Sequence, residues 1–466
     1  MAGIAGLLVK RNNEDADFLL QRISNAIRHR KPSTFHTVNR ESAQCLIVGP
    51  HTIDGEDGEL FIIDKNQDIE FPDESVDVTS IAEIFGAIVV IISDKGISLL
   101  RTLDGTRPLY YGHTGAIFAF GSERKSLWTI GMSSVKTVVP GQAVTVSWSG
   151  EVSLETFAAL DKPVMTTATR GNILEVLGKS LHASFERLRK GTKCAVLFSG
   201  GVDSSLAAML ASKRCEDTIL VATMTDQSHD KKVASEAAKK LDLPLYTVNL
   251  SSELVWDTLP QLIRTIETSK QMDVEIALPF YLAAKKAAEE GYTTVISGQG
   301  PDELFAGYAR HVKVYVEKGP EALATQLWND VKITYEANIE RDERSITAHG
   351  MDSFFPYLDQ LFVNTALSIP AEWKVNPEII PERKVIFREL AQRLGVPEEI
   401  ALAPKNATQY SSGSAKMILA AMRENVDELT HLSKKRISTK IQGILDRIAA
   451  DIHLPKREDS SSSNPG

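Results

Sequence analysis

The stretch Ser199-Gly200-Gly201-Val202-Asp203-Ser204-Ser205 gathers hydroxyls, glycines and a carboxylate in seven positions, a combination suited to holding an anion. The apolar run Ala195–Phe198 before it predicts a buried parallel strand, and Leu206–Leu210 after it predicts a helix. Strand, glycine turn and hydroxyl-rich helix start together build a phosphate site. The glycines let the backbone come close, and the helix N-terminus offers unpaired N–H groups and the positive end of its dipole. No Gly-Lys-Ser/Thr follows the turn, and the third glycine of a dinucleotide fingerprint is missing. Taken alone, the pattern also suits a Gly-Ser helix cap with no ligand.

A second stretch, Ser297-Gly298-Gln299-Gly300-Pro301-Asp302-Glu303 through Gly307-Tyr308, follows directly on the predicted strand Thr293–Ser297. It sets backbone amides and two carboxylates at a strand's carboxyl end, where open α/β sheets bind ligands. Further elements must bring the two stretches together. Predicted strands at Thr218–Thr223 and Leu245–Leu250 alternate with helices at Asp230–Leu241 and Pro279–Glu290, which implies a mainly parallel sheet covered by helices. Beyond Ala309 the pattern is almost wholly helical.

The first stretch resembles the pyrophosphate loop of the N-type ATP pyrophosphatases, and the second resembles the Ser-Gly-Glu-Gly-x-Asp-Glu-x-x-x-Gly-Tyr motif of asparagine synthetases and β-lactam synthetases. The resemblance implies ATP and Mg²⁺ as cofactors, with Asp203 and Asp302 as metal ligands. It implies that Ser199, Gly200, Gly201, Ser204 and Ser205 cradle pyrophosphate, and that Leu197, Ala222, Ser297 and Gly298 belong to the nucleotide site. Asp230 lines up with a family carboxylate. Pro356-Tyr357-Leu358-Asp359 and the segment from Lys384 to Ala403-Pro404-Lys405 extend the match. Lys405 is the first candidate to stabilise charge on the reacting phosphorus or leaving pyrophosphate, and Lys384 the second, with Glu382 as a solvated partner for it.

Departures from the family pattern bear on the substrate. Gln299 replaces a family Glu, and an amide can hold a hydrogen bond but cannot act as a general base. Glu275 stands near a substrate-binding Arg position, where it would repel a second carboxylate; its bland alternative is a salt-bridge partner on a loop. Glu303 is assigned to the substrate side. His311 is expected to be structural, and Asp359 to cap a helix beginning near Leu361.

Residues 1–155 are β-rich, with runs at Val89–Ile92, Ile97–Leu100 and Ala116–Phe120. With Gly3-Ile4-Ala5-Gly6-Leu7, Arg101–Trp128 and Pro140-Gly141, they resemble the N-terminal glutaminase domain of asparagine synthetase, an Ntn-hydrolase α-β-β-α sandwich. The family nucleophile is a Cys after the initiator Met; here that position is Ala2. His29-Arg30-Lys31-Pro32-Ser33 replaces a family His-Arg-Gly-Pro-Asp, Phe85-Gly86-Ala87 replaces an Asp-Gly pair, and no Asn-Gly-Glu is found. This half is expected not to hydrolyse glutamine and to serve as a structural layer, with a binding or regulatory role as the alternative.

The expected organisation is therefore an α/β chain: a degenerate glutaminase-like sandwich over 1–155, linker and entry helix over 156–190, an ATP-pyrophosphatase domain over 191–455 and a polar tail over 456–466. The activity implied is ATP-dependent amide formation from a carboxylate and ammonia or an amine. Another ATP-pyrophosphatase substrate such as tRNA, or a nucleotide-binding pseudoenzyme, are the alternatives. The net charge of −9 weighs against a broad nucleic-acid surface. Cys45, Cys194 and Cys215 suggest neither a disulfide scaffold nor a zinc site. No signal peptide or membrane span is evident, so a cytoplasmic location is expected, with a homodimer or an ammonia-supplying protein as the candidate partners.

Overall fold

The structure is a computed structural model that describes residues 3–11, 13–49, 52–54, 60–65, 84–225, 229–403, 413–429 and 433–455. Ala2, Lys405 and the 456–466 tail lie outside the described residues.

Strands β1 (Ala5–Lys10), β2 (Thr34–Asn39), β3 (Ala43–Gly49), β4 (Thr52–Asp54), β5 (Leu60–Lys65), β6 (Ala87–Ile92), β7 (Gly96–Arg101), β8 (Tyr110–His113), β9 (Ile117–Gly121), β10 (Lys136–Thr137), β11 (Gln142–Ser147) and β12 (Val152–Thr156) form two antiparallel sheets. Their orders are β10-β8-β9-β1-β3-β2 and β12-β11-β7-β6-β5-β4. Side-chain alternation decides how they stack. In and beside β1, Ile4 and Leu8 face the second sheet's Ile62, Val90 and Leu99, while Ala5, Leu7 and Val9 face Leu20 and Ile23 of the helix Ala16–Ala26. The described part of the sandwich is thus helix, sheet, sheet. Residues 66–83, between β5 and β6, lie outside it.

Helix Arg170–Glu186 enters the second half, capped by the Thr169 hydroxyl, which accepts from the Asn172 N–H at 3.3 Å. The parallel sheet that follows comprises β13 (Lys193–Leu197), β14 (Asp217–Met224), β15 (Leu245–Asn249), β16 (Thr294–Ile296) and β17 (Asp352–Phe354), in the order β15-β14-β13-β16-β17. Four of these strands match the sequence expectation. The fifth, β17, falls in the stretch expected to be helical: it is three residues long, too short for a period to register. Two further corrections concern local structure. The helix predicted from Pro279 begins at Gln271, so Glu275 lies on a helix and not a loop. Cys194 and Cys215 form a disulfide that ties the start of β13 to the end of the helix Val202–Arg214.

The two halves meet through charge. Helix Glu340–Thr347 carries Glu340-Arg341-Asp342-Glu343-Arg344, and all eight of its residues are buried. Arg30 pairs with Glu343 through two parallel bonds of 2.7 Å and with Glu123 at 2.5 Å. Arg101 and Tyr110 reach Glu340 at 3.0 and 2.5 Å, and Arg344 donates to the Tyr110 hydroxyl at 2.7 Å. Burial pushes the Glu340 carboxyl up, but Arg124, Arg101 and Arg344 outweigh it and hold the pKa at about 2. A carboxylate depressed below its unfolded value near 4.5 contributes stability above that pH and loses it as pH falls toward the folded value. Each tenfold difference in proton affinity between the folded and unfolded chain is worth about 1.4 kcal/mol, so Glu340→Gln is expected to destabilise the protein at pH 7 by roughly 3 kcal/mol. Urea unfolding should show that gap close as pH is lowered from 5 toward 2.

Candidate active site

The order of the parallel sheet changes direction between β13 and β16, so their following loops leave in opposite directions and open a crevice at the strand ends. Both sequence stretches sit there. β13 ends at Leu197, the turn follows, and helix Val202–Arg214 starts with Asp203 in its first turn. Gly200 has φ +76°, and a methyl there would meet the backbone of Ala234 at 2.9 Å, so both conformation and space call for glycine. The loop is tied internally: the Ser204 hydroxyl donates to the Gly201 carbonyl at 3.2 Å and accepts from the Ser199 N–H at 3.3 Å. Ser205 is fully buried. Leu197 and Ala222 are buried in the sheet, in β13 and β14.

The second loop leaves β16 through Ser297, whose N–H donates to the Phe354 carbonyl of β17 at 3.0 Å. Gly298 then brings the two loops together. A Cβ at that position would sit 3.2 Å from the Ser204 nitrogen. Asp302 and Glu303 occupy the short helix Pro301–Leu304.

Lys384 joins these loops. Its ammonium lies 2.8 and 2.7 Å from the two Asp203 carboxylate oxygens and 2.8 Å from Asp302 Oδ1. It is fully buried, and burial lowers its pKa while Asp203 pulls the other way. Glu382, expected beside it, pairs instead with Arg383 at 3.0 Å. The sequence places Lys405 ahead of Lys384; Lys384 is the lysine at the centre, and Lys405 lies outside the described residues. Asp203 and Asp302, which converge here on the Lys384 ammonium, are the hard oxygen donors that Mg²⁺ takes, one or two carboxylates with water and phosphate oxygens completing its shell. The residues fit the ion.

The remaining candidates divide. Glu303 is buried, accepts from the Tyr308 hydroxyl at 2.5 Å and from Asn338 Nδ2 at 2.9 Å, and burial raises its pKa. That is a framework role for at least one of its oxygens. Gln299 donates from Nε2 to Asp342 at 2.7 Å, tying the second loop to the interface helix. Glu275 accepts from Gln271 Nε2 at 2.7 Å within its own helix, and its carbonyl accepts from the Ser414 hydroxyl at 2.7 Å. Asp230 falls on the helix His229–Leu241. His311 is buried, 2.7 Å from Asp330, and Asp359 caps the helix Gln360–Leu367 by accepting from the Leu361 N–H at 3.1 Å, both as expected.

In the sequence Tyr357 stands out only as part of a matching segment. It is fully buried, and its hydroxyl donates to the Asp203 carbonyl at 2.8 Å, which fixes the first turn of the loop helix. An aromatic residue between Pro and Leu gives no sign of that bond. Gly307 matches the motif's glycine, and the structure supplies the reason the sequence lacked: a methyl there would land on the Asp302 carboxylate and the Lys384 stem. Gly307→Ala is expected to cost about 1–3 kcal/mol in urea unfolding. Gly115→Ala, with nothing within 4 Å, should stay within about 0.5 kcal/mol.

The asparagine synthase family model matches residues 175–323 and 313–465. A Methanocaldococcus jannaschii protein described as a putative asparagine synthetase (glutamine-hydrolyzing) is 33% identical over 417 residues, covering 79% of this chain and 76% of that one. An asparagine synthetase (glutamine-hydrolyzing) of Gallus gallus is 27% identical over 414 residues, 82% of this chain and 70% of its own length. Among solved structures, NMN synthetase from Francisella tularensis aligns at 14% identity with a TM-score of 0.29 over 63% of this chain and 99% of that one, too slight to carry an inference. The matched residues include both glycine-bearing loops and Lys384, and the chain belongs to the asparagine synthase family.

Proposed function

We propose that the protein is an ATP-dependent ligase that joins a carboxylate to ammonia or another amine. ATP adenylates the acid, pyrophosphate leaves, and the amine displaces AMP from the acyl-adenylate. The observation that carries this reading is the meeting of Asp203, Asp302 and Lys384 at the strand ends.

Each part has a task in that chemistry. Loop amides around Ser199–Gly201 and the start of the helix Val202–Arg214 hold the departing phosphates. Asp203 and Asp302 would hold Mg²⁺, which supplies neutralisation of phosphate charge. Lys384, already seated between the two carboxylates, offers its ammonium to the pyrophosphate as charge develops there. Gln299 positions and does not deprotonate, so the attacking amine arrives neutral or loses its proton elsewhere. With Ala2 at the family's nucleophile position, glutamine is not the nitrogen source, and ammonia comes from solution or from a partner protein. Glu275, near a family Arg position, disfavours an acid with a second carboxylate close to it.

The test is pyrophosphate release from Mg·ATP with ammonium chloride across a panel of carboxylates that includes aspartate, with glutamine as a separate nitrogen source. Release with ammonium and an acid, and none with glutamine, is expected. Asp203→Asn should reduce release at least a hundredfold with an unchanged circular dichroism spectrum. Equal turnover in that variant, or release driven by glutamine alone, would overturn the reading.

A further inference from the structure

Away from the strand ends, the two halves enclose a cleft of about 360 Å³. It is lined from the first half by Arg28, His29, Lys125 and Thr129, and from the second by Arg264 and Thr265 of the helix Ser252–Ile266, among others. No residue of either glycine-bearing loop contributes, and the described lining contains no Asp or Glu.

The charge balance there is one-sided. Lys125 and the His29 imidazole both turn to the buried Glu123 carboxylate, which also bonds Arg30, itself answered a second time by Glu343. Arg28 and Arg264 are exposed, and neither forms an ion pair with a described residue. Just beyond the lining residue Ala348, Lys31 reaches toward Gly350.

Guanidinium forks match the oxygen geometry of phosphate, and a lysine adds a point charge. The volume is at the lower end of small-ligand sites and accommodates a phosphate or diphosphate group. We propose that this cleft is a second anion site, which takes a small phosphorylated ligand and clasps the two halves across it. A ligand held by Arg28 on one side and Arg264 on the other binds only the docked arrangement of the halves, so it stabilises that arrangement by mass action.

The test uses inorganic pyrophosphate as probe on the full chain, without metal, read by hydrogen exchange and by titration calorimetry. Exchange separates this site from the strand-end loops, because peptides over 24–30 and 260–266 report the cleft and those over 199–205 report the loop. Pyrophosphate is expected to protect the cleft peptides. Arg28→Gln/Arg264→Gln should weaken that protection at least tenfold in concentration while leaving the 199–205 response unchanged. Raising salt from about 50 to about 300 mM should weaken it in wild type. Protection confined to 199–205, or cleft protection equal in wild type and double variant, would overturn the proposal. Should the double variant melt early without ligand, single Arg28→Gln carries the same test with a smaller loss.

Discussion

Burying Glu340, Glu343 and Glu267 without guanidinium partners would cost several kcal/mol for each charge, and every partner but Arg344 comes from the first half of the chain. That requirement fixes how the halves sit. Arg30 on Glu343 is a two-bond fork with no side-chain exposure, which allows little rotation or slip. The sandwich presents Arg30, Arg101, Arg107 and Arg124, and the buried helix Glu340–Thr347 accepts them.

The same helix also touches the chemistry. Asp342 holds the Gln299 amide of the second loop, and Arg341 holds Asp342 at 2.8 Å and reaches Asp273 at 3.3 Å. Gln299 is thus bonded to the same short helix whose Glu340 and Glu343 accept the guanidinium groups of the sandwich. A change of charge at Asp342 would reach the loop directly, through one hydrogen bond. Glu303, four residues along from Gln299, is anchored separately by Tyr308 and Asn338. The second loop is held from two sides.

Much of the fold was legible in the residues. The apolar run before Ser199, the glycine pattern and the second motif each gave local structure, and the alternation of strands and helices gave the sheet. β1 is buried on both faces, Ala5 to Val9 without a break, so its sequence carries no period to read. What could not be read was any feature made by distant partners. The five charged residues Glu340–Arg344 look like a solvated face in sequence, because nothing local says that guanidinium groups wait 239 and 313 residues upstream. Tyr357 and Gly307 stand in matching segments, but what each touches, Asp203 for one and Asp302 with Lys384 for the other, is set only in three dimensions. Lys384 was visible but second in rank, since its left-handed backbone and its place between two loops are tertiary facts.

The interface has a consequence for how such a chain can change over generations. Deletion of the first half would strand three buried acids, and drift at Arg30, Arg101, Tyr110 or Arg124 would be tolerated only with a matching change in the helix Glu340–Thr347 or at Glu267. The first half supplies counter-ions to the second, so change at this interface is coupled across the two halves.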